Sequence, residues 1–132
     1  MEIVLASAGR IGPSPATYTA RLTAGALATG GSALLRVQRL EVEGGGPAVV
    51  RVFVGLPSAT SDTGAADPHQ VGVISVLGAG GSARAQDFTI AIPAAALTQA
   101  TAAGELAVTL VSVDGDGKPA SAAIRHGKIF VR

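Results

Sequence analysis

The chain has 132 residues and a net charge of +1, from ten basic and nine acidic side chains, with no cysteine. Its length suits one domain with a single sizeable core, and 18 glycines and seven prolines are too many for a helical bundle. The missing thiols exclude disulfides and thiolate metal sites, and basic residues spread along a chain that is only 3% aromatic leave no stripe for nucleic acid.

The first candidate strand spans 2–6. Its apolar stretch is short and begins after an acid, Glu2, so it lacks the basic start and long apolar core of a secretion signal. No apolar run approaches the roughly 20 residues that cross a bilayer. The expectation is therefore no membrane partner and, by default, a cytoplasmic protein. Gly12-Pro13-Ser14-Pro15 separates this strand from a second, 17–23. In the third, 33–43, Leu35 and Val37 are out of phase with Leu40 and Val42, so either a bulge shifts the phase near Gln38-Arg39, the favoured reading, or both faces are partly covered. Gly44-Gly45-Gly46-Pro47 predicts a hairpin turn into the fourth, 48–56, where Val50, Val52, Val54 and Leu56 share one face opposite Arg51.

The fifth candidate strand is 71–77, and Gly78-Ala79-Gly80-Gly81-Ser82 divides it from the sixth, 86–92, where Phe88, Ile90 and Ile92 share a face. Pro93 ends that strand, and Ala-rich 94–103 reads as one or two helical turns stopping at Gly104. In the seventh, 105–113, Leu106, Val108 and Leu110 lie opposite Thr109. Asp114-Gly115-Asp116-Gly117 has the composition of a tight turn, and an eighth strand covers 123–131. Eight short strands with frequent breakers predict an all-β protein: a single β-sandwich of jelly-roll or Greek-key type over 1–132, with one short helical segment. Its core must be Val, Ile, Leu and Ala, with Phe53, Phe88, Phe130 and Tyr18 as the large pieces.

Chemistry-bearing patterns are sparse. His69 and His126 with an acid such as Asp67 could form a mononuclear metal site, although two histidines 57 positions apart read more simply as structural. Asp114-Gly115-Asp116-Gly117 lacks the later oxygen ligands of a calcium loop, since Lys118-Pro119 interrupts it and Arg125 stands at the twelfth position. Gly78-Ala79-Gly80-Gly81-Ser82-Ala83 has the glycine spacing of a dinucleotide turn, but Phe88-Thr89-Ile90 continues as a strand where a phosphate-binding helix should run. No G-x-S-x-G nucleophile elbow occurs. No cofactor is expected.

One set of residues points to a family. Val52-Phe53-Val54-Gly55-Leu56-Pro57 is followed by Ala59-Thr60-Ser61-Asp62-Thr63 and by Asp67-Pro68-His69. Then come Val76-Leu77-Gly78, Asp87-Phe88, Val108-Thr109-Leu110-Val111-Ser112-Val113-Asp114 and Gly117-Lys118-Pro119. In order and spacing, over 34–131, this resembles the C-terminal β-domain of tyrosinases and polyphenol oxidases. The chain departs from that pattern at Val49-Val50-Arg51-Val52, where the family carries Lys-Phe-Asp-Val. It also has Gln70 in place of an aromatic, and Ile74 and Val76 in place of paired phenylalanines.

The resemblance implies a non-catalytic shielding module. In that family the β-domain covers a dicopper site, keeps the enzyme latent and assists folding or copper loading. Two histidines cannot supply the six ligands of such a site, so the implied partner is a tyrosinase-like catalytic domain, in cis or in trans. Leu56, Phe53 and Tyr18 are the side chains whose chemistry would suit a plug in its substrate funnel. A self-associating assembly sandwich is the alternative expectation. A small-ligand or carbohydrate module fits less well, because it would want an aromatic platform.

Overall fold

The computed structural model describes residues 2–23, 33–43, 48–64, 66–76, 85–121 and 123–132. They form strands β1 (Ile3–Ala6), β2 (Gly9–Ile11), β3 (Ala16–Arg21), β4 (Ala33–Val42), β5 (Ala48–Val54), β6 (Gln70–Val76) and β7 (Gln86–Ile92). Helix α1 (Ala94–Ala103) follows, then β8 (Glu105–Val113), β9 (Ile124–His126) and β10 (Ile129–Val131). The protein is all-β apart from α1, and both sheets are antiparallel.

β1 and β2 run end to end as one row, and so do β10 and β9. In the first sheet this double row pairs on to β4, which pairs with β7 on its other side. The second sheet runs β3-β8-β5-β6. Numbered as eight rows in chain order, the sheets read 1-8-3-6 and 2-7-4-5, the strand order of a jelly roll.

The alternation read from the sequence builds the core. Leu35, Val37, Leu40 and Val42 of β4 meet Val50, Val52 and Val54 of β5 and Leu106, Val108 and Leu110 of β8 between the sheets. The phase change in β4 is real: the β4–β7 register shifts between Val37 and Leu40, and Arg39 has φ 57°. The side-chain carboxylate of Asp87 accepts a 2.9 Å hydrogen bond from the Arg39 amide and holds the bulge. α1 occupies the expected stretch, starts after Pro93 and buries Leu97 and Ala100.

Three expectations change. β4 and β5 belong to different sheets and do not pair with each other, so they are not the two arms of a hairpin; a jelly roll swaps sheets at most of its connections. The eighth strand is divided at Gly127-Lys128, and the row beside it gains β2, which the expected strands did not include. Leu56 leaves the face of Val50, Val52 and Val54, because β5 ends at Val54 and Gly55 turns the chain with φ 80°. The breakers at 44–47 and 78–82, the dinucleotide-like turn and Gly78 lie outside the described residues. No helix among the described residues is long and apolar enough to cross a membrane.

Candidate functional site

Among the described residues β5 and β6 are the only consecutive rows paired within one sheet, and the chain between them folds over that sheet's outer face. This is the segment with the Leu-Pro and Asp-Pro-His motifs. Its floor consists of the outward residues of β5 and β8. Phe53, Val111 and Val113 are buried there with Ala59 of the segment, and Val49 and Leu56 close the edges. Phe53 has no exposed surface although it lies on the outer side of the sheet. Residues 55–64 and 66–69 therefore form a strap with a small apolar core of its own, and β8 is buried on both faces.

Polar side chains rivet the strap at both ends and in the middle. At its start the Thr109 hydroxyl donates to the Leu56 carbonyl at 3.3 Å and lies 3.0 Å from the Thr17 hydroxyl. Thr17 in turn donates to the Pro57 carbonyl at 3.3 Å. In the middle, Nη1 of Arg51 donates to the carbonyls of Ser61 and Thr63, at 3.4 and 3.2 Å. A cation on an apolar strand is thus bound to backbone oxygens of the strap.

At its end Asp67 organises the turn. Its Oδ1 accepts from the His69 amide at 2.8 Å and from His69 Nδ1 at 2.7 Å. These two bonds, the amide first, hold the Asp67 pKa below the ordinary carboxylate value. Pro68 is exposed at the turn, and the His69 carbonyl accepts from the Val54 amide at 2.9 Å, which rejoins the strap to β5.

The other motif residues lie apart from the strap or at its margin. Lys118 and Pro119 stand in the turn after β8, where Asp114 accepts from the amides of Asp116 and Lys118 and Val113 bridges to Pro119. A Cβ on Gly117 of that turn would lie 3.6 Å from Arg51 Nη2, so the turn flanks the strap. Asp87 and Phe88 are on the first sheet. Asp87 pins the Arg39 bulge, and Phe88 is half-buried against the main core.

The two histidines are not brought together as a metal site. His126 is buried between the sheets, where Nδ1 donates to the Gly127 carbonyl at 2.8 Å and Nε2 accepts from the Tyr18 hydroxyl at 2.5 Å. A carbonyl cannot donate, so Nδ1 carries a proton in this arrangement. Gly9 lies against the pair: a Cβ there would be 2.8 Å from His126 Nε2 and 3.0 Å from the Tyr18 hydroxyl. Burial pushes the Tyr18 pKa above its ordinary value. Among the described residues no three His, Asp or Glu side chains converge as a metal ion would require.

Of the three side chains suited to a plug, Phe53 is under the strap and Tyr18 is tied to His126, while Leu56 is half-buried at the strap's edge. Beside it, Gly55 and Pro57 face α1 and Glu105 across a shallow groove of about 350 Å³. The rivets Thr17 and Arg51 and the Tyr18–His126 pair were not legible as partners in the sequence. The available signal was one of type only: Arg51 and Thr109 stand opposite apolar faces, where polar side chains need a purpose. Comparison with protein-family models and with curated proteins finds no match to this chain.

Proposed function

We propose that this jelly roll is a non-catalytic covering module of the kind appended to tyrosinases and polyphenol oxidases, which closes over a dicopper catalytic domain and holds it latent or assists its folding and copper loading. The observation that carries this reading is the strap. Six of the motif residues, Phe53, Leu56, Pro57, Asp67, Pro68 and His69, fall in this one stretch of chain and are held together as a unit, while Asp87 and Phe88 lie on the other sheet. The engagement of His126, Tyr18 and Asp67 in internal bonds also suits a module that carries no reaction of its own.

The test is a titration of the purified protein against a tyrosinase-type catalytic domain. A stoichiometric complex with suppressed diphenol oxidation supports the reading. Absence of binding together with unchanged oxidation overturns it. A second reading, self-association, is favoured by one feature: Val73 is 54% exposed on β6, the edge of the second sheet. Edge strands invite pairing with a further chain, and light scattering that gives a monomer at all concentrations would remove this reading.

A further inference from the structure

The outer face of the first sheet carries a patch that neither the strap nor the core uses. Phe130 of β10 points outward there, yet is only 3% exposed, because three cations cover its ring. Lys128 Nζ lies 4.5 Å from the ring centroid, and the guanidinium carbons of Arg132 and Arg36 lie at 5.6 and 6.0 Å. Register places Val4, Phe130 and Arg36 side by side across three strands, and Leu34 exchanges backbone hydrogen bonds with Arg132. Val4 and Leu34 are 47% and 39% exposed, two of the three large apolar side chains that face solvent among the described residues.

The charges of this face are divided. Arg10 and Arg125 are paired with Glu43 and Glu41, and Lys128 with Glu2. Arg36 and Arg132 have no carboxylate partner among the described residues. Two guanidinium groups without a carboxylate partner among the described residues therefore lie over an aromatic ring beside two exposed aliphatic side chains. Arginine and aromatic side chains are enriched at the core of protein interfaces. A guanidinium fork matches a carboxylate in two parallel hydrogen bonds. Holding the fork on a ring removes much of the ordering cost of that match.

We infer that the face formed by Val4, Leu34, Arg36, Phe130 and Arg132 docks an acidic protein surface, one whose carboxylates surround an apolar spot. The aliphatic pair decides for protein over a phosphate polymer, which would pair with the arginines and leave Val4 and Leu34 in water. This inference deepens the covering-module reading by naming the face that meets the partner, and it rests on that reading for the partner being a catalytic domain.

The experiment compares four proteins: the unaltered chain, R36Q/R132Q, V4S/L34S and a control, R21Q/K118Q. The control removes the same charge from exposed positions off this face. Binding is measured at low salt to a soluble peptide of alternating Glu and Leu, to polyphosphate, to phosphatidylserine vesicles and to a tyrosinase-type catalytic domain. Circular dichroism checks that all four fold alike. The expected result is that R36Q/R132Q weakens peptide binding about tenfold, V4S/L34S weakens it measurably and the control leaves it unchanged.

Lack of peptide binding by the unaltered chain, equal loss in the control, or indifference to V4S/L34S overturns the inference. So does retention by polyphosphate or vesicles with no peptide binding. Peptide binding with the expected pattern but none to the catalytic domain sinks the covering-module reading alone. Binding to the catalytic domain that is indifferent to R36Q/R132Q sinks only the assignment of the face.

Discussion

At the scale of single residues, buried polar atoms carry the sharpest consequences. Tyr18 on β3 and His126 on β9 bond across the two sheets, and both are hidden in part by the close approach of Gly9. Tyr18→Phe strands the acceptor Nε2 of a buried imidazole, so it should cost about 1–3 kcal/mol in denaturant unfolding. The pH dependence has a definite sign. Burial raises the folded-state pKa of Tyr18 above the ordinary tyrosine value. The folded protein therefore holds this proton more tightly, and the contribution is complete below that value and is lost as pH rises through the folded pKa. Tyr18 is the one tyrosine and there is no tryptophan. Its phenolate absorbance thus reports the titration directly, and Tyr18→Phe should flatten this part of the alkaline loss. Ser112 is the opposite case. It faces Val50 inside the sandwich, and its hydroxyl has no hydrogen-bond partner among the described residues. Ser112→Ala should raise stability by about 1 kcal/mol, by removing a desolvated group at little change in volume; a drop in the unfolding midpoint would contradict this. Neither residue could be paired from sequence, because Tyr18 and His126 come from distant strands and Ser112 reads like its alternating neighbours.

At the scale of elements, legibility followed the hydrophobic period. The core faces of β4, β5, β7 and β8, the bulge at Arg39 and the helix after Pro93 were all visible, because each is written in a local repeat or a breaker. The strap was visible only as a motif. Its position depends on Gly55 turning the chain, and on Thr109 and Arg51 reaching carbonyl oxygens that local sequence does not identify. This construction predicts that the strap can loosen without the sandwich unfolding. Arg51→Gln shortens the reach to Ser61 and Thr63 and should cost about 1–2 kcal/mol, with faster amide exchange concentrated in 59–64. Asp67→Ala should release the turn at His69 more locally. The pH sign for Asp67 is the reverse of that for Tyr18: its folded pKa is lowered, so its contribution is present above the unfolded value and lost as pH falls through the folded one. Exchange in the strap of the unaltered chain should therefore rise on acidification, and Asp67→Ala should remove that rise. Exchange that rises equally in β4 and β8 for either variant would mean that strap and sandwich are one cooperative unit.

At the scale of the whole molecule, strand order was the least legible feature, because eight amphipathic rows fit many sandwiches. The order adopted is nested. β5 pairs with β6, β4 with β7, β3 with β8, and the row of β1 and β2 with that of β10 and β9. Each pair encloses the one before it, like a folded hairpin. The innermost contact joins Phe53 to Gln70, while the outermost joins Ile3 to Val131. Loop-closure entropy rises with the length of chain enclosed, but only logarithmically once shorter closures exist. Folding should thus begin at β5–β6, whose loop is the strap, and extend outward, each pairing shortening the effective loop of the next. Conservative truncations measure this order. Val52→Ala and Ile74→Ala remove buried methyl groups from the inner pair and should slow folding nearly in proportion to their loss of stability. Ile3→Val and Ile129→Val in the outer pair should act mainly by speeding unfolding. The motif residues of the strap would then sit where the fold nucleates, which gives a physical reason for a motif in a loop: Gly55 and Asp67 set the turn from which the other pairings follow. Equal fractional effects at both ends of the nest would instead indicate a diffuse transition state, and the motif would owe its place to the strap's surface alone.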